Sequence, residues 1–148
     1  MNDPRAPRPV VLDGLPAERF RGGVTYLADV LRECQLVLVG RDQGADSDPT
    51  LIGLAEGLVP DLEEMRDAFN AGTLATNPDG TIRFETTLGV AQSATLAHLQ
   101  MQLVQLRLLG RAGGLLVESD PEVTELLAWI WDEAADQLHG RAPRLHRQ

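Results

Sequence analysis

Apolar residues recur at helical spacing through most of this 148-residue chain. The pattern covers residues 16–39, 48–72, 90–111 and 119–138. Residues 73–87 instead alternate with period two around the turn signal Asn-Pro-Asp-Gly at 77–80, which is typical of two strands joined by a tight turn. The pattern predicts a mainly α protein, a bundle of four to five helices with one inserted β-hairpin at about residues 73–87.

The helices are predicted to form a single domain at residues 15–139. Residues 1–14 are expected to be a flexible N-terminal arm that ends in a short extended piece, and residues 140–148 a basic flexible tail. Residues 35–39, "QLVLV", leave two interpretations open. Their spacing continues the first helix, which we favour, but their β-branched alternation is also compatible with a strand.

The third helix, predicted at about residues 90–111, carries two apolar stripes. One has the four-three-four heptad spacing of close helix packing: Val90, Ala94, Ala97, Met101, Val104 and Leu108. The second consists of Leu96, Leu99, Leu103 and Leu106. A helix that is apolar over so much of its circumference is typical of a central position or of an oligomer interface. We therefore expect Met101, Val104 and Leu108 to lie in an interface, most simply that of a dimer.

Uncharged polar residues form a third face of the same helix: Thr95, His98, Gln102 and Gln105. They are consistent with the wall of a small-molecule pocket in which His98 acts as an acid or base. They are also consistent with hydrogen bonds across the bundle or with solvent exposure, which is the interpretation that we favour. The helix has no carboxylate one turn from His98, so a partner that orients this histidine must come from elsewhere in the fold.

Acidic residues cluster on the second and last helices: Glu63, Glu64, Asp67, Glu122, Glu125, Asp132, Glu133 and Asp136. A di-iron bundle needs Glu-x-x-His pairs, but Thr95 is the residue three before His98. A calcium loop aligned on Gly80 would place Ala75 and Thr86 where its first and last carboxylates belong. The acids are therefore interpreted as solvated helix faces, and we expect no metal, no cofactor and no catalytic residue.

The segment "WIWDE" places Trp129 and Trp131 on either side of Ile130. Both indoles cannot point into one core seam, so at least one is expected at the rim or on the surface. Because tryptophan is enriched at binding hot spots, the pair is a candidate interface. The lone Cys34 lies on an apolar face and is expected to be an inert core residue.

The net charge is −9, and since the first ten residues contribute +1 and the last ten +3, the body between them carries −13. An acidic body repels a phosphate backbone, so nucleic acid is not an expected partner. No apolar run approaches the roughly 20 residues that span a bilayer, so no membrane association is expected. With one cysteine and an N-terminus unlike a signal peptide, the chain is expected to be cytoplasmic.

Five segments, taken in order, carry a resemblance to known proteins: "LPAERFRGGVTYLADVL", "DPTLIGLAEGLVPD", "DGTIRFETT", "LVQLRLLG" and "VTELLAWIWDEA". Together they resemble an uncharacterised actinobacterial family of small helical proteins of unknown function. The resemblance spans most of the chain, and it implies no known activity and no catalytic residues.

Two function classes follow from these patterns. The heptad stripe, the tryptophan pair and the acidic body favour a non-enzymatic protein–protein interaction or regulatory module that associates with itself. The alternative is a small-molecule sensor or enzyme whose pocket lies beside Thr95, His98 and Gln102. The chain contains no lysine, which excludes P-loop and Schiff-base lysine chemistry.

Overall fold

The computed structural model describes residues 6–44, 48–113 and 120–147. These ranges contain four α-helices and three β-strands, in the chain order β1 (Arg8–Leu15), α1 (Ala17–Asp42), α2 (Pro49–Asn70), β2 (Thr73–Thr76), β3 (Ile82–Leu88), α3 (Gln92–Gly113) and α4 (Pro121–Leu138). The prediction of a mainly helical fold is confirmed. Residues 35–39 belong to α1, so the helical interpretation of "QLVLV" is correct.

The four helices form a ring in which α1 and α3 each pack against both α2 and α4. Helices α2 and α4 each begin at an Asp-Pro pair. Asp48 and Asp120 each accept a hydrogen bond from the backbone N–H two residues later, at 2.9 Å, and a proline follows at the first helical position. An aspartate cap satisfies an unpaired N–H, and proline has none to satisfy there, so the sequence itself sets these two helix starts.

The predicted hairpin is present, and it is part of a larger sheet. β3 lies between β1 and β2, antiparallel to both, so that Phe84 faces Leu12 on one side and Leu74 on the other. Gly80 adopts φ +86° in the turn, a conformation that glycine reaches without steric cost. The short extended piece expected at the end of the N-terminal arm is β1, a strand of this sheet; residues 1–5 lie outside the described ranges.

The polar residues of the turn at 77–80 form hydrogen bonds within the chain. Asn77 Nδ2 donates to Asp13 Oδ1 at 2.8 Å, and Asp79 Oδ1 accepts from the backbone N–H of Thr81 at 2.9 Å. The bond from Asn77 is the main cause that lowers the pKa of Asp13 below its usual value, and Arg83 adds to it. The turn therefore anchors β1 to the hairpin through side chains.

The C-terminal segment does not hang free as the predicted tail. Asp13 and Leu145 form a parallel bridge, and the His146 N–H donates to the Asp13 carbonyl at 2.9 Å. Leu145 and His146 thus dock beside β1, the strand at one edge of the sheet. An edge strand covered in this way presents fewer unpaired backbone groups to other chains.

The core lies between the helix ring and one face of the sheet. Its most deeply buried apolar side chains come from every layer: Leu15, Val30, Leu58, Leu96, Leu99 and Leu138. Phe20, Phe69 and Phe84 join α1, α2 and β3, with ring centroids 4.9 Å apart for Phe69 and Phe84 and 6.0 Å apart for Phe20 and Phe69. Aromatic contacts of this geometry add stability beyond the area that they bury.

Candidate functional site

The two apolar stripes of α3 have opposite environments. The leucine stripe points into the bundle and forms the inner face of α3: Leu96, Leu99, Leu103 and Leu106, all buried. The heptad stripe points away, and its five members within the helix form the outer face of α3: Ala94, Ala97, Met101, Val104 and Leu108, all exposed. Val90, the first residue of the predicted stripe, precedes α3 and is half-buried. The stripe with the spacing of close helix packing is therefore the one that the described chain leaves mostly exposed.

The exposure of the outer face is large for apolar side chains. Met101 is 57% exposed, Val104 41% and Leu108 62%. Scattered exposed apolar residues are ordinary on protein surfaces, but these lie in one line along a single helix. Their regular four-three spacing is that of the a and d positions of a coiled coil.

The charge of α3 differs from that of the rest of the molecule. Residues 92–113 contain two arginines and no acidic residue, although the chain has 22 acidic residues. The outer faces of α2 and α4 carry the acidic clusters instead. The outer face of α3 is flanked by the uncharged side chain of Gln105 and by His98. Among the helices of the described ranges, α3 is therefore the one that presents exposed apolar residues and has no negative charge of its own.

His98 finds its orienting partner on the neighbouring helix. Its Nδ1 lies 2.8 Å from Oδ2 of Asp61 on α2. The Asp61 side chain is 19% exposed and the His98 side chain 54% exposed. The expectation that a carboxylate would come from elsewhere in the fold is thus met. The pair lies on an open surface between α2 and α3.

The other members of the predicted polar face do not join His98 in a pocket wall. Gln102 is buried where α3 passes Gly57, and a Cβ on that glycine would lie 2.0 Å from Gln102 Nε2. Gln105 is exposed, and Thr95 is half-buried. Among the described residues, Gln102 Oε1 has no hydrogen-bond partner. Gln102 therefore belongs to the contact between α2 and α3, whereas His98 and Gln105 lie on the surface.

The predicted tryptophan pair is only partly exposed. Trp131 is buried in the core, so the pair does not form one exposed interface. Trp129 is half-buried at the rim, as expected of at least one of the two, and its ring meets the His146 ring edge-on with centroids 4.8 Å apart. The C-terminal segment thus covers part of the Trp129 indole.

Glu133 was grouped with the solvated acids, but it is fully buried. Its Oε1 accepts the Arg144 backbone N–H at 2.7 Å, and its Oε2 accepts Arg144 Nε at 3.0 Å. One turn later, Gln137 accepts the Val11 N–H at 2.8 Å and donates to the Val11 carbonyl at 2.7 Å. The spacing of Glu133 and Gln137 from the buried Leu126 and Ile130 was the available signal, since it places both on the apolar face of α4.

Cys34 is buried as expected. Burial, with a smaller contribution from the charge of Glu33, raises the pKa of its thiol to about 11. A thiol with so high a pKa is almost entirely protonated near neutral pH, and the thiolate is the nucleophile. Cys34 is therefore a packing residue.

A cavity with a volume of about 320 Å³ lies elsewhere, between α1, α2, α4 and the sheet. Its wall includes the phenylalanine cluster and Trp131. Leu96 of the inner face reaches it, whereas Thr95, His98, Gln102 and Gln105 do not line it. The predicted pocket residues and the observed cavity are thus on different sides of α3.

Within the described ranges, no group of three His, Cys, Asp or Glu side chains is placed to hold a metal ion. None of the helices there combines the length and hydropathy needed to cross a bilayer. No family model, curated protein or solved structure matches the chain. The resemblance to the actinobacterial family therefore stays a prediction.

Proposed function

We propose that this chain is a non-enzymatic interaction module that associates with a second copy of itself through the outer face of α3. The observation that carries the proposal is the exposure of five of the six heptad-stripe residues, all five on a helix that has no acidic residue. Burying apolar side chains stabilises an interface by roughly 25 cal/mol per Å² of surface removed from water. A coiled-coil contact is the geometry that this spacing serves.

Charge favours a second copy at this face rather than at another. Two copies that met through α2 or α4 would oppose the clusters around Glu63 and Glu125, and like charges in contact are destabilising. Two copies of α3 bring no carboxylate of their own into contact. An antiparallel pairing would also match sizes, with Ala97 against Leu108 and Met101 against Val104 of the other copy. The contact would then be isologous, as in most homodimers.

The predicted assembly is reversible. Stable interfaces commonly bury about 1,200–2,000 Å² in total, and one stripe of five apolar residues, two of them alanine, is small beside that range. We therefore expect a dimer that dissociates on dilution. Such behaviour suits a regulatory module, in which a change in concentration or a competing helix changes the assembly.

The test measures assembly mass over a dilution series, by native mass spectrometry and by light scattering. The wild type is expected to pass from dimer to monomer, and Met101→Glu to weaken the dimer by at least about tenfold, because each copy would bury a charge. Leu36→Glu is the matched control. Leu36 is 58% exposed, against 57% for Met101, but lies on α1.

Two outcomes contradict the proposal. A wild type that is monomeric throughout the series excludes self-association. A dimer weakened by Leu36→Glu and unaffected by Met101→Glu assigns the contact to α1. Both variants change exposed residues, so their unfolding curves should match that of the wild type within about 0.5 kcal/mol under conditions where all are monomeric.

A further inference from the structure

The cavity between the helices and the sheet has no role in the function proposed above. Its volume of about 320 Å³ falls at the lower end of the range of roughly 300–1,000 Å³ typical of small-molecule sites. The interior is formed by buried apolar side chains, among them Phe84, Leu62 and Leu127. Native cores have few voids larger than a water molecule, so an apolar space of this size is unusual.

The cavity opens between α1 and α2. Four lining residues are exposed: Val24 and Ala28 on α1, and Arg66 and Asn70 on α2. They mark a mouth on the side of the molecule formed by these two helices, away from the outer face of α3. A ligand could therefore enter without disturbing the helix contacts made by α3.

The polar groups of the cavity are concentrated at that mouth. Arg66 is the only charged residue among the described lining residues, and within the described chain it forms neither an ion pair nor a hydrogen bond. Asn70, one turn later on α2, adds an amide that can donate. The deeper Thr86 hydroxyl is already engaged, since it donates to the Ala68 carbonyl at 2.6 Å.

We propose that this cavity binds a small amphipathic carboxylate, such as a medium-chain carboxylic acid. The apolar chain would lie among the phenylalanine rings, and the carboxylate would remain at the mouth against Arg66 and Asn70. A guanidinium can hold a carboxylate with two parallel hydrogen bonds, which gives both strength and orientation. The cavity volume favours a short chain over a long one.

A titration with octanoate, followed by calorimetry and by the fluorescence of Trp131, tests the assignment. Trp129 is replaced by Phe throughout, so that the remaining indole is the one that lines the cavity. We expect octanoate to bind and to raise the melting temperature, because a ligand specific for the folded state stabilises it. Binding should weaken with added salt.

Three variants sharpen the result. Arg66→Gln should weaken octanoate binding by about tenfold or more, since it removes a charge-assisted contact, while 1-octanol binding stays unchanged. Arg21→Gln is the matched control, because Arg21 is an exposed arginine that forms no ion pair in the described chain and does not line the cavity. Ala28→Phe should block the mouth and abolish binding of both probes.

The proposal is overturned if octanoate does not bind, or if Arg66→Gln binds it as well as the wild type does. Binding of 1-octanol alone would assign the site to neutral apolar molecules and overturn the carboxylate. Octanoate binding that survives Ala28→Phe would place the probe outside the cavity. Each variant changes an exposed side chain, so its fold can be verified independently from its unfolding curve.

Discussion

α3 and α4 depart from the usual division between polar and apolar residues in opposite directions. α4 buries Glu133 and Gln137, and both have partners in the same chain. α3 exposes Met101 and Val104, which are 57% and 41% exposed although both side chains are apolar. A departure that the chain itself satisfies is structural, whereas one that it leaves open points to a partner. This comparison separates residues that stabilise the fold, such as Glu133, from residues that form the candidate interface, such as Met101.

The largest expected effect tests the structural side of this comparison. Glu133→Ala removes the acceptor of the Arg144 backbone N–H and side chain, and hydrogen bonds to a charged group are each worth roughly 1.5–3 kcal/mol. We expect the free energy of unfolding to fall by about 3 kcal/mol. Urea denaturation measures it. The C-terminal segment should also become sensitive to proteolysis.

Asp132→Ala is the matched control for Glu133→Ala. The neighbouring carboxylate is exposed, so its loss should change the free energy of unfolding by no more than about 0.5 kcal/mol. Equal losses for the two variants would mean that burial of Glu133 does not distinguish it from a solvated acid. The interpretation that the buried polar residues of α4 are satisfied within one copy of the chain would then be wrong.

A second prediction compares the two buried glutamines. Gln137 uses both ends of its amide, whereas Gln102 Oε1 has no partner in the described chain and its Nε2 lies over Gly57. Gly57→Ala should displace that amide and cost about 1–3 kcal/mol, as overpacking does. Gly53→Ala, on an open stretch of α2, should stabilise by roughly 0.5–1 kcal/mol through helix propensity.

A double-mutant cycle sharpens this contrast. In a Gln102→Ala background the obstruction is gone, so Gly57→Ala should stabilise about as much as Gly53→Ala does. Thermal unfolding of the four proteins measures the coupling. If Gly57→Ala is stabilising in the original background, Gln102 moves aside freely and does not fix the approach of α2 to α3.

Local signals predicted the helices well. Periodicity and Asp-Pro caps are properties of neighbouring residues, so α2 and α4 could be placed from the sequence alone. The hairpin followed from Asn77 to Gly80 for the same reason. The pairing of β1 could not be predicted, although an extended piece was expected there, because β1 pairs with β3 across more than 60 residues and its short apolar run carries no sign of its partner. The contacts of residues 140–147 with Glu133 and Asp13 are likewise specified by no local pattern.

The candidate sites show the same difference between local sequence signals and contacts of distant segments. The outer face of α3 was visible as a heptad, although periodicity did not tell which of two apolar stripes would face the core. His98 was visible, but its partner Asp61 lies 37 residues away in the sequence and its pairing depends on the packing of α2. The cavity was not foreseen at all. Its wall draws on six elements, and a volume between them has no signature in any single segment.

The smallest expected effect concerns the junction of the C-terminal segment with Trp129. Burial, followed by the nearby positive charge of Arg19, lowers the pKa of His146 below its usual 6.5, whereas the Gly14 backbone and Glu125 act in the opposite direction. The folded state therefore prefers neutral His146. Its contribution to stability is complete above pH 6.5 and declines as the pH falls below that value towards the lower pKa of the folded state. Docking of this segment should thus weaken in mild acid.

In the Trp131→Phe protein, the fluorescence of Trp129 can follow the release of the C-terminal segment between about pH 7.5 and about pH 5.5. His146→Gln should remove the pH dependence in this window, because glutamine does not titrate. Asp13, whose pKa is lowered, acts in a separate window, since its contribution is lost only as the pH falls below 3.8. A transition that persisted in His146→Gln would show that another group governs the junction. Its disappearance would mean that the segment covering Trp129 is held by a neutral imidazole, and that α4 loses part of its cover before its core is affected.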